Sequence, residues 1–407
     1  MDAFSFKEDV GMARLIGTVT RGLRAPIVSE GDDLGKIVVD TVLGAADAGE
    51  FEVKERDIVA VTEAVLARAQ GNYATILQIG QDIRAKLGGG TVGVIFPILS
   101  RNRFAVCLRG IAKGAGKIVL MLSYPGDEVG NQLVSLDDLD EKNINPYSDI
   151  LSESEFNKMF GETKHTFTGM NYVDYYKSLI EAEGAEAEVI FANDPRKVLD
   201  YADVILACDI HTRERTKRLL KNAGAKKVLG LDDIMTDSVS GSGFNRKFGL
   251  LGSNKATDVK VKLFPEGCGS FVREVQGMIR EKTGKTVEVL VYGDGAFKDP
   301  VCGIWELADP VVSPGYTEGL EGTPNEVKLK YIADNEFSHL HGDDLKAAVT
   351  GYIMNKERNN NNDMVSQGTT PRRFSDLIGS LCDLTSGSGD KGTPIVYIQG
   401  YFDNYTD

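Results

Sequence analysis

Apolar positions along this chain recur in two periods, and the switches between them mark its elements. In DDLGKIVVDTVLGAADAG, Leu34, Ile37, Val38 and Val42 make the i, i+3, i+4, i+8 stripe of a half-buried helix. Asp32 and Asp33 stand at its start, where carboxylates satisfy free N–H groups and favour the dipole. Before it, GTVTRGLRAPIVSEG reads as strand and loop. After it, RDIVAVTEAVLARAQG reads as a buried strand running into a helix. These elements form a first block, Gly17 to Leu87.

From Gly88 to Ser240 the pattern alternates. TVGVIFPI, KIVLMLSYP, AEVIFAND, DVILACDI and KKVLGLDDI are continuous apolar runs of strand length. RNRFAVCLRGIAKGAG, NYVDYYKSLIEAEG, PRKVLDYA and TRERTKRLLKNAGA read as helices between them, with a polar excursion from Asp127 to Thr168. Continuous apolar strands alternating with helices predict a parallel sheet covered on both faces, a three-layer α/β unit. Gly184 and Gly224 read as left-handed helix stops. A third block, Gly241 to Asp407, is less regular. It holds KVKLFPEG, the helix GSFVREVQGMIREKTG, the strand TVEVLVYGDG, a helix near DDLKAAVTGYIMNK, and a polar run, NKERNNNND, that reads as an exposed loop. A helix at RRFSDLIGSLCDLTSGSGDKG and the strand TPIVYIQG close the chain.

Composition narrows the function classes. Forty-six Lys and Arg against 60 Asp and Glu give a formal charge of −14 over 407 residues. That balance counts against nucleic acid and anionic membrane as partners. The longest apolar runs are strand-sized, short of the ~20 residues of a membrane span. The first residues, MDAFSFKEDVGMARLIG, do not read as a secretory signal. Cys107, Cys208, Cys268, Cys302 and Cys382 are odd in number and lack CxxC spacing. A cytoplasmic, disulfide-free protein is expected.

Candidate chemistry is scattered. Gly284-Lys285-Thr286 is not a phosphate loop, because a helix precedes it and a strand follows; it reads as a helix stop. GGGT at Gly88 opens a strand, so it is no dinucleotide fingerprint. His339, His341, Asp343 and Asp344 in HLHGDD resemble metal ligands, yet Asp-Asp ahead of an apolar helix also caps it. His165 and His211 show no partner in sequence. YGDGAFKDP says more: a strand delivers Asp294 between two glycines, a way to present a Mg²⁺ or Mn²⁺ ligand beside a phosphate. The same residues also suit a turn. TSGSGDKGTP from Thr385 offers many backbone N–H groups to an anion, as would a surface turn.

Five segments, in order, resemble one family: GDDL at Gly31, DIVAVTEAVLARAQG at Asp57, GLLGSNKATD at Gly249, VYGDG at Val291 and SGSGDKGTPIVYIQG at Ser386. They are similar to motifs of the coenzyme F-420 γ-glutamyl ligase family: GDDL, a VTQKIVSKAEG-like strand–helix, GxVCANAGID, a strand ending in SDT, and an MGQxxEGxPVVVVRG-like end. The resemblance covers the first and third blocks. It implies a discontinuous ligase-like α+β unit, residues 1–87 plus 241–407, interrupted by an inserted α/β domain, residues 88–240. It implies GTP or ATP, Mg²⁺ or Mn²⁺, and a monovalent cation as a further candidate. Asp258 and Asp294 would converge on one divalent ion, with Gly295 and Ser388 where a second would be held. Ala25, Pro26, Ile27, Val28, Arg68, Asn72, Ser386, Gly387, Ser388, Gly389, Asp390, Lys391, Gly392 and Thr393 would line the nucleotide. The family's serine-lysine pair is Ala67 and Arg68 here, its motif glutamate is Gln70, its SDT threonine is Gly295, and an asparagine after Asp258 is Val261.

The implied function is a metal- and nucleotide-dependent ligase that adds L-glutamate to a carboxylated small molecule, F-420-like or folate-like, through an acyl phosphate. A homodimer is implied by the family. The alternative is a non-catalytic nucleotide- or metabolite-binding protein that keeps the ligase fold. A third reading places function in the α/β block, where Asn193, Asp194, Asp209 and His211 would line a crevice at strand ends or else cap helices.

Overall fold

The computed structural model describes residues 15–295, 298–301, 303–305, 309–356, 363–366, 372–386 and 390–406. The first segment contains β1 (Val19–Leu23), α1 (Leu34–Asp47), β2 (Ile58–Thr62), α2 (Glu63–Ala69), β3 (Tyr73–Thr75) and α3 (Ile76–Leu87). The alternating segment contains β4 (Thr91–Ile95), α4 (Ala105–Gly114), β5 (Lys117–Leu122), α5 (Leu136–Glu141), β6 (Leu151–Ser152), α6 (Glu153–Phe160), α7 (Tyr172–Ala182), β7 (Glu186–Phe191), β8 (Val204–Ala207), α8 (Arg213–Asn222) and β9 (Lys227–Gly230). Beyond it lie β10 (Asn254–Thr257), β11 (Lys260–Lys262), α9 (Cys268–Thr283), β12 (Glu288–Tyr292), β13 (Gly315–Tyr316), α10 (Leu329–Asp334), α11 (Gly342–Met354), α12 (Phe374–Ser386) and β14 (Ile395–Gln399).

The described residues form a mixed α/β structure with three sheets. The six-stranded sheet has the order β6-β7-β5-β4-β8-β9 and is parallel except for β6. Its strands are apolar throughout because both faces are covered. Val94, Ile118, Leu120 and Leu206 enter the core under α3, α4 and α7, while Ile95, Val119, Met121 and Ile205 face Leu220 of α8. The chain order reverses between β4 and β8, the usual place of a ligand crevice in such sheets. PRKVLDYA, expected as a helix, is a short 3₁₀ segment at Pro195–Asp200 capped by Asp194; Lys197 N–H bonds the Asp194 carbonyl and Tyr201 N–H the Val198 carbonyl, the three-residue step of a 3₁₀ turn.

The five-stranded sheet, β1-β14-β2-β12-β13, draws strands from both ends of the sequence. Val59, Val61, Val289 and Val291 pack toward α1 and α9, and Ile58, Ala60 and Leu290 pack toward Ile378 and Cys382 of α12. Strands β2 and β12 are parallel, and β14 runs antiparallel to both β1 and β2. The carboxyl ends of β1, β2 and β12 and the amino end of β14 therefore share one edge. A third sheet, β10-β11-β3, lies beside it. Helix α3 packs on α4, and Leu250, Leu251, Val261 and Leu263 join the core of the six-stranded sheet, so that core recruits residues from both flanks.

Local chemistry decides the ends. Asp33 caps α1 by accepting Lys36 N–H at 2.9 Å, while the Asp32 carboxylate accepts Ser29 N–H. Gly184 and Gly224 have φ of 90° and 92°, as left-handed stops require, and Gly284 (φ 70°) ends α9, so the Gly-Lys-Thr segment is a helix stop. Asp343 and Asp344 lie in the first turn of α11. Among the described residues, no helix is long and apolar enough to cross a membrane. Residues 357–362 of the polar run near Asn355 lie outside the described residues.

Candidate active site

The shared edge of the five-stranded sheet opens into a cavity of about 540 Å³. Ala25, Pro26, Ile27 and Val28 form one wall, following β1. Gly392, Thr393 and Pro394 precede β14 and form the opposite lip; Ala25 N–H donates to the Gly392 carbonyl at 3.1 Å. Arg68 reaches back from α2 and donates through Nε to the Val28 carbonyl, fixing the first wall. Ser386, at the end of α12, lines the cavity, and its carbonyl accepts from the Thr393 hydroxyl.

Two carboxylates enter at adjacent strand ends. Glu63 directly follows β2 and Asp294 lies two residues beyond β12, so their parallel pairing brings both to the same edge. Glu63 is buried and ion-paired with Lys262 of β11, while its Oε2 has no partner. Burial, opposed by Lys262, holds its carboxyl above the usual carboxylate range. Asp294 is ion-paired with Arg103, which also binds Asp309. The glycines around Asp294 serve close approach. A Cβ on Gly293 would fall 2.6 Å from Asp309 Oδ2, and Gly295 N–H donates to Asp383 Oδ2 at 2.9 Å. Asp294 N–H donates to Asp309 Oδ2 at 2.8 Å. Burial raises Asp383 as well, with the Asp309 charge adding to it.

Other candidates lie elsewhere. The Asp258 side chain is 83% exposed in the β10–β11 turn, pairs with Lys255 at 2.6 Å and does not line the cavity. It stands in a hairpin turn, a use of aspartate that sequence does not separate from metal ligation. The expected convergence of Asp258 with Asp294 is therefore corrected: Asp294 meets Arg103 and Asp309 instead. Asn72 is buried and does not line the cavity. Its amide donates to Phe244 O and Phe264 O and accepts Phe244 N–H, which makes it a bracket between segments. Asp390 and Lys391 are exposed and stand outside the lining. Gly387, Ser388 and Gly389 lie outside the described residues.

In the six-stranded sheet, Asn193 brackets Tyr124, Asp194 caps the 3₁₀ turn, and Asp209 accepts from the Thr212 and Thr216 hydroxyls. His165 is buried against Asn131 and Thr168. Among the described residues, no group of three or more His, Cys, Asp or Glu is arranged to hold a metal ion, the HLHGDD residues included.

Glu63, Arg103, Lys262, Asp309 and Asp383 escaped the sequence reading. Glu63 had a signal, since it follows an apolar strand as Asp294 does. Arg103 and Lys262 had none, because their partners are distant in sequence.

The carboxylates of this cavity are the donor type a divalent ion takes, although among the described residues they are not gathered into a ready-made metal-holding group. Glu63 Oε2 is a buried oxygen without a partner, Asp294 and Asp383 also line the cavity, and all are hard oxygen donors. Four carboxyl groups, Glu63, Asp294, Asp309 and Asp383, meet two cations here, Arg103 and Lys262. Carboxylates for a cation, a nearby Arg68 and a polar-lipped cavity are the groups that nucleotide-dependent joining of an acid to an amine requires.

The family comparison defines the protein as a ligase that forms C–N bonds. The family model described as F420-0:Gamma-glutamyl ligase matches residues 22–400, and the chain belongs to that family. A search of curated proteins returned no match.

Proposed function

We propose that this protein joins L-glutamate to a carboxylated small molecule, with coenzyme F-420-0 as the first acceptor to test. The acceptor carboxylate attacks the γ-phosphorus of GTP, giving an acyl phosphate and GDP. The glutamate amine then attacks the acyl carbon, phosphate leaves with the former carboxylate oxygen, and the amine loses a proton. The observation that carries this reading is the delivery of Glu63 and Asp294 to one cavity by parallel strands in a chain of this family.

Glu63 and Asp294 would hold the divalent ion, with Asp383 beside them. When bound, such an ion neutralises charge on the phosphates as the phosphoryl group moves. Arg68 stands where it can neutralise further phosphate charge, though its planar fork differs from a lysine point charge. Ile27, 88% exposed on the cavity wall, offers an apolar surface to a nucleotide base. The division into a discontinuous unit, residues 1–87 plus 241–407, and an inserted unit, residues 88–240, belongs to the same proposal. It is supported by the origin of the five-stranded sheet from both ends of the chain.

The test is metal-dependent release of phosphate from GTP that requires both acceptor and glutamate, repeated with ATP. Release that needs neither substrate would contradict the reading.

A further inference from the structure

The six-stranded unit brings Arg103 against Asp294, a residue of the cavity lining. Arg103 lies in the turn between β4 and α4, at the reversal point where such sheets ordinarily hold a ligand. That turn is held from both sides. Arg103 N–H donates to Ser100 Oγ at 3.0 Å, Ser100 N–H donates to the buried Tyr176 hydroxyl at 2.7 Å, and Lys255 N–H donates to the Asn102 carbonyl at 2.6 Å. The Arg103 side chain is 15% exposed, and its guanidinium binds Asp294 with Nη2 and Asp309 with Nη1. Asp309 is 2% exposed in its side chain, while Asp294 is 34% exposed.

The same unit also holds the segment after β12. Trp305 N–H donates to the Val129 carbonyl at 2.7 Å, and a Cβ on Gly130 would lie 2.8 Å from the Gly303 carbonyl. The six-stranded unit thus meets Asp294 through the Arg103 ion pair and meets the later part of the same segment through a backbone contact.

We propose that Arg103 is an internal cation that occupies Asp294 in place of the divalent ion, releasing Asp294 but keeping Asp309 when the ion binds. This rests on the metal-dependent ligase reading above. The guanidinium sits on the Asp294 Oδ2 that the ion would approach, and two cations on one oxygen repel, so ion binding there displaces the guanidinium. The more buried Asp309 retains it, because an unpaired buried charge is costly. The arrangement makes metal loading answer to the placement of the six-stranded unit.

The test is Mn²⁺ binding alone, followed by electron paramagnetic resonance on the full chain without nucleotide. Arg103→Gln should bind Mn²⁺ roughly tenfold more tightly than the parent, a normal coupling between two ligands of one site. Because that variant leaves Asp309 unpaired, R103Q/D309N is measured beside it; it removes the buried pair together and should show the same gain. Circular dichroism and melting establish that each is folded. Equal or weaker Mn²⁺ binding by the folded variants, with a parent that binds, overturns the competition and leaves the ligase reading standing. A variant that binds where the parent does not supports the competition in its strongest form. If parent and variants all fail to bind Mn²⁺, the metal-dependent reading falls, and the competition falls with it.

Discussion

Glu63, opening α2, and Lys262, closing β11, form a buried ion pair across 199 positions of sequence. The contact ties the third sheet to the edge of the five-stranded one and sets the charge of the cavity wall. Lys262→Met should leave the Glu63 carboxylate without its cation and destabilise the fold by about 3–5 kcal/mol. The double variant K262M/E63Q should recover most of that loss. Urea unfolding measures both, and an unchanged midpoint for K262M would remove the pair from the account.

Asn72 and Asp258 are expected to trade the importance their motifs suggest. Asn72→Ala strands the Phe244 main-chain groups it now satisfies and leaves the Phe264 carbonyl to Asn245 alone, at a cost of about 2–4 kcal/mol. Asp258→Asn, at an exposed turn, should stay within about 0.5 kcal/mol of the parent and leave Mn²⁺ affinity unchanged. Thermal melts and the resonance titration check the two together. A loss of Mn²⁺ binding in D258N would restore that residue to the site.

Asp209 should leave a signature in the pH dependence of stability. Burial, with Glu128 adding, raises its carboxyl above the ordinary 3.8, and its Oδ1 has no partner. The folded state keeps this proton at pH values where the unfolded chain has released it. Its contribution therefore favours folding most at low pH and is lost as pH rises through the raised value. Asp209→Asn still offers an acceptor to the Thr212 and Thr216 hydroxyls. It should gain stability relative to the parent as pH rises from about 4 toward neutrality. Parallel stability curves would show that Asp209 titrates as an ordinary carboxyl.

The alternating segment was legible because a parallel sheet buried on both faces writes each strand as an unbroken apolar run. TVGVIFPI and KIVLMLSYP could hardly be anything else at their length. The short β10–β11 hairpin and β3 were not legible, since strands of three or four residues carry too few positions to show a period. At the site, Asp294, named from its strand end and flanking glycines, and the loop Ala25–Val28, named through family resemblance, line the same cavity. Asp258 misled because aspartate serves hairpin turns and metals alike. Arg103 was invisible: its meaning depends on where the reversal point of one sheet meets the edge of another, which no local pattern records.

In the proposed reading, strand-end delivery makes Asp294 the residue on which the site turns. Asp294→Asn should keep the fold, since Asp309 still accepts the residue 294 N–H, but weaken Mn²⁺ and GTP binding together. Calorimetry of each ligand in the presence and absence of the other separates a shared site from two independent ones. Unchanged affinity for both would detach Asp294 from either role.

The most direct measurement follows glutamate transfer itself. The full chain is incubated with coenzyme F-420-0, L-glutamate, Mn²⁺ and GTP, or ATP in parallel, and mass spectrometry is read beside phosphate release. The account predicts a γ-glutamyl adduct formed with one phosphate released per bond, and a rate lowered about a hundredfold or more in D294N. No adduct with either nucleotide, or a D294N variant as fast as the parent, would contradict it.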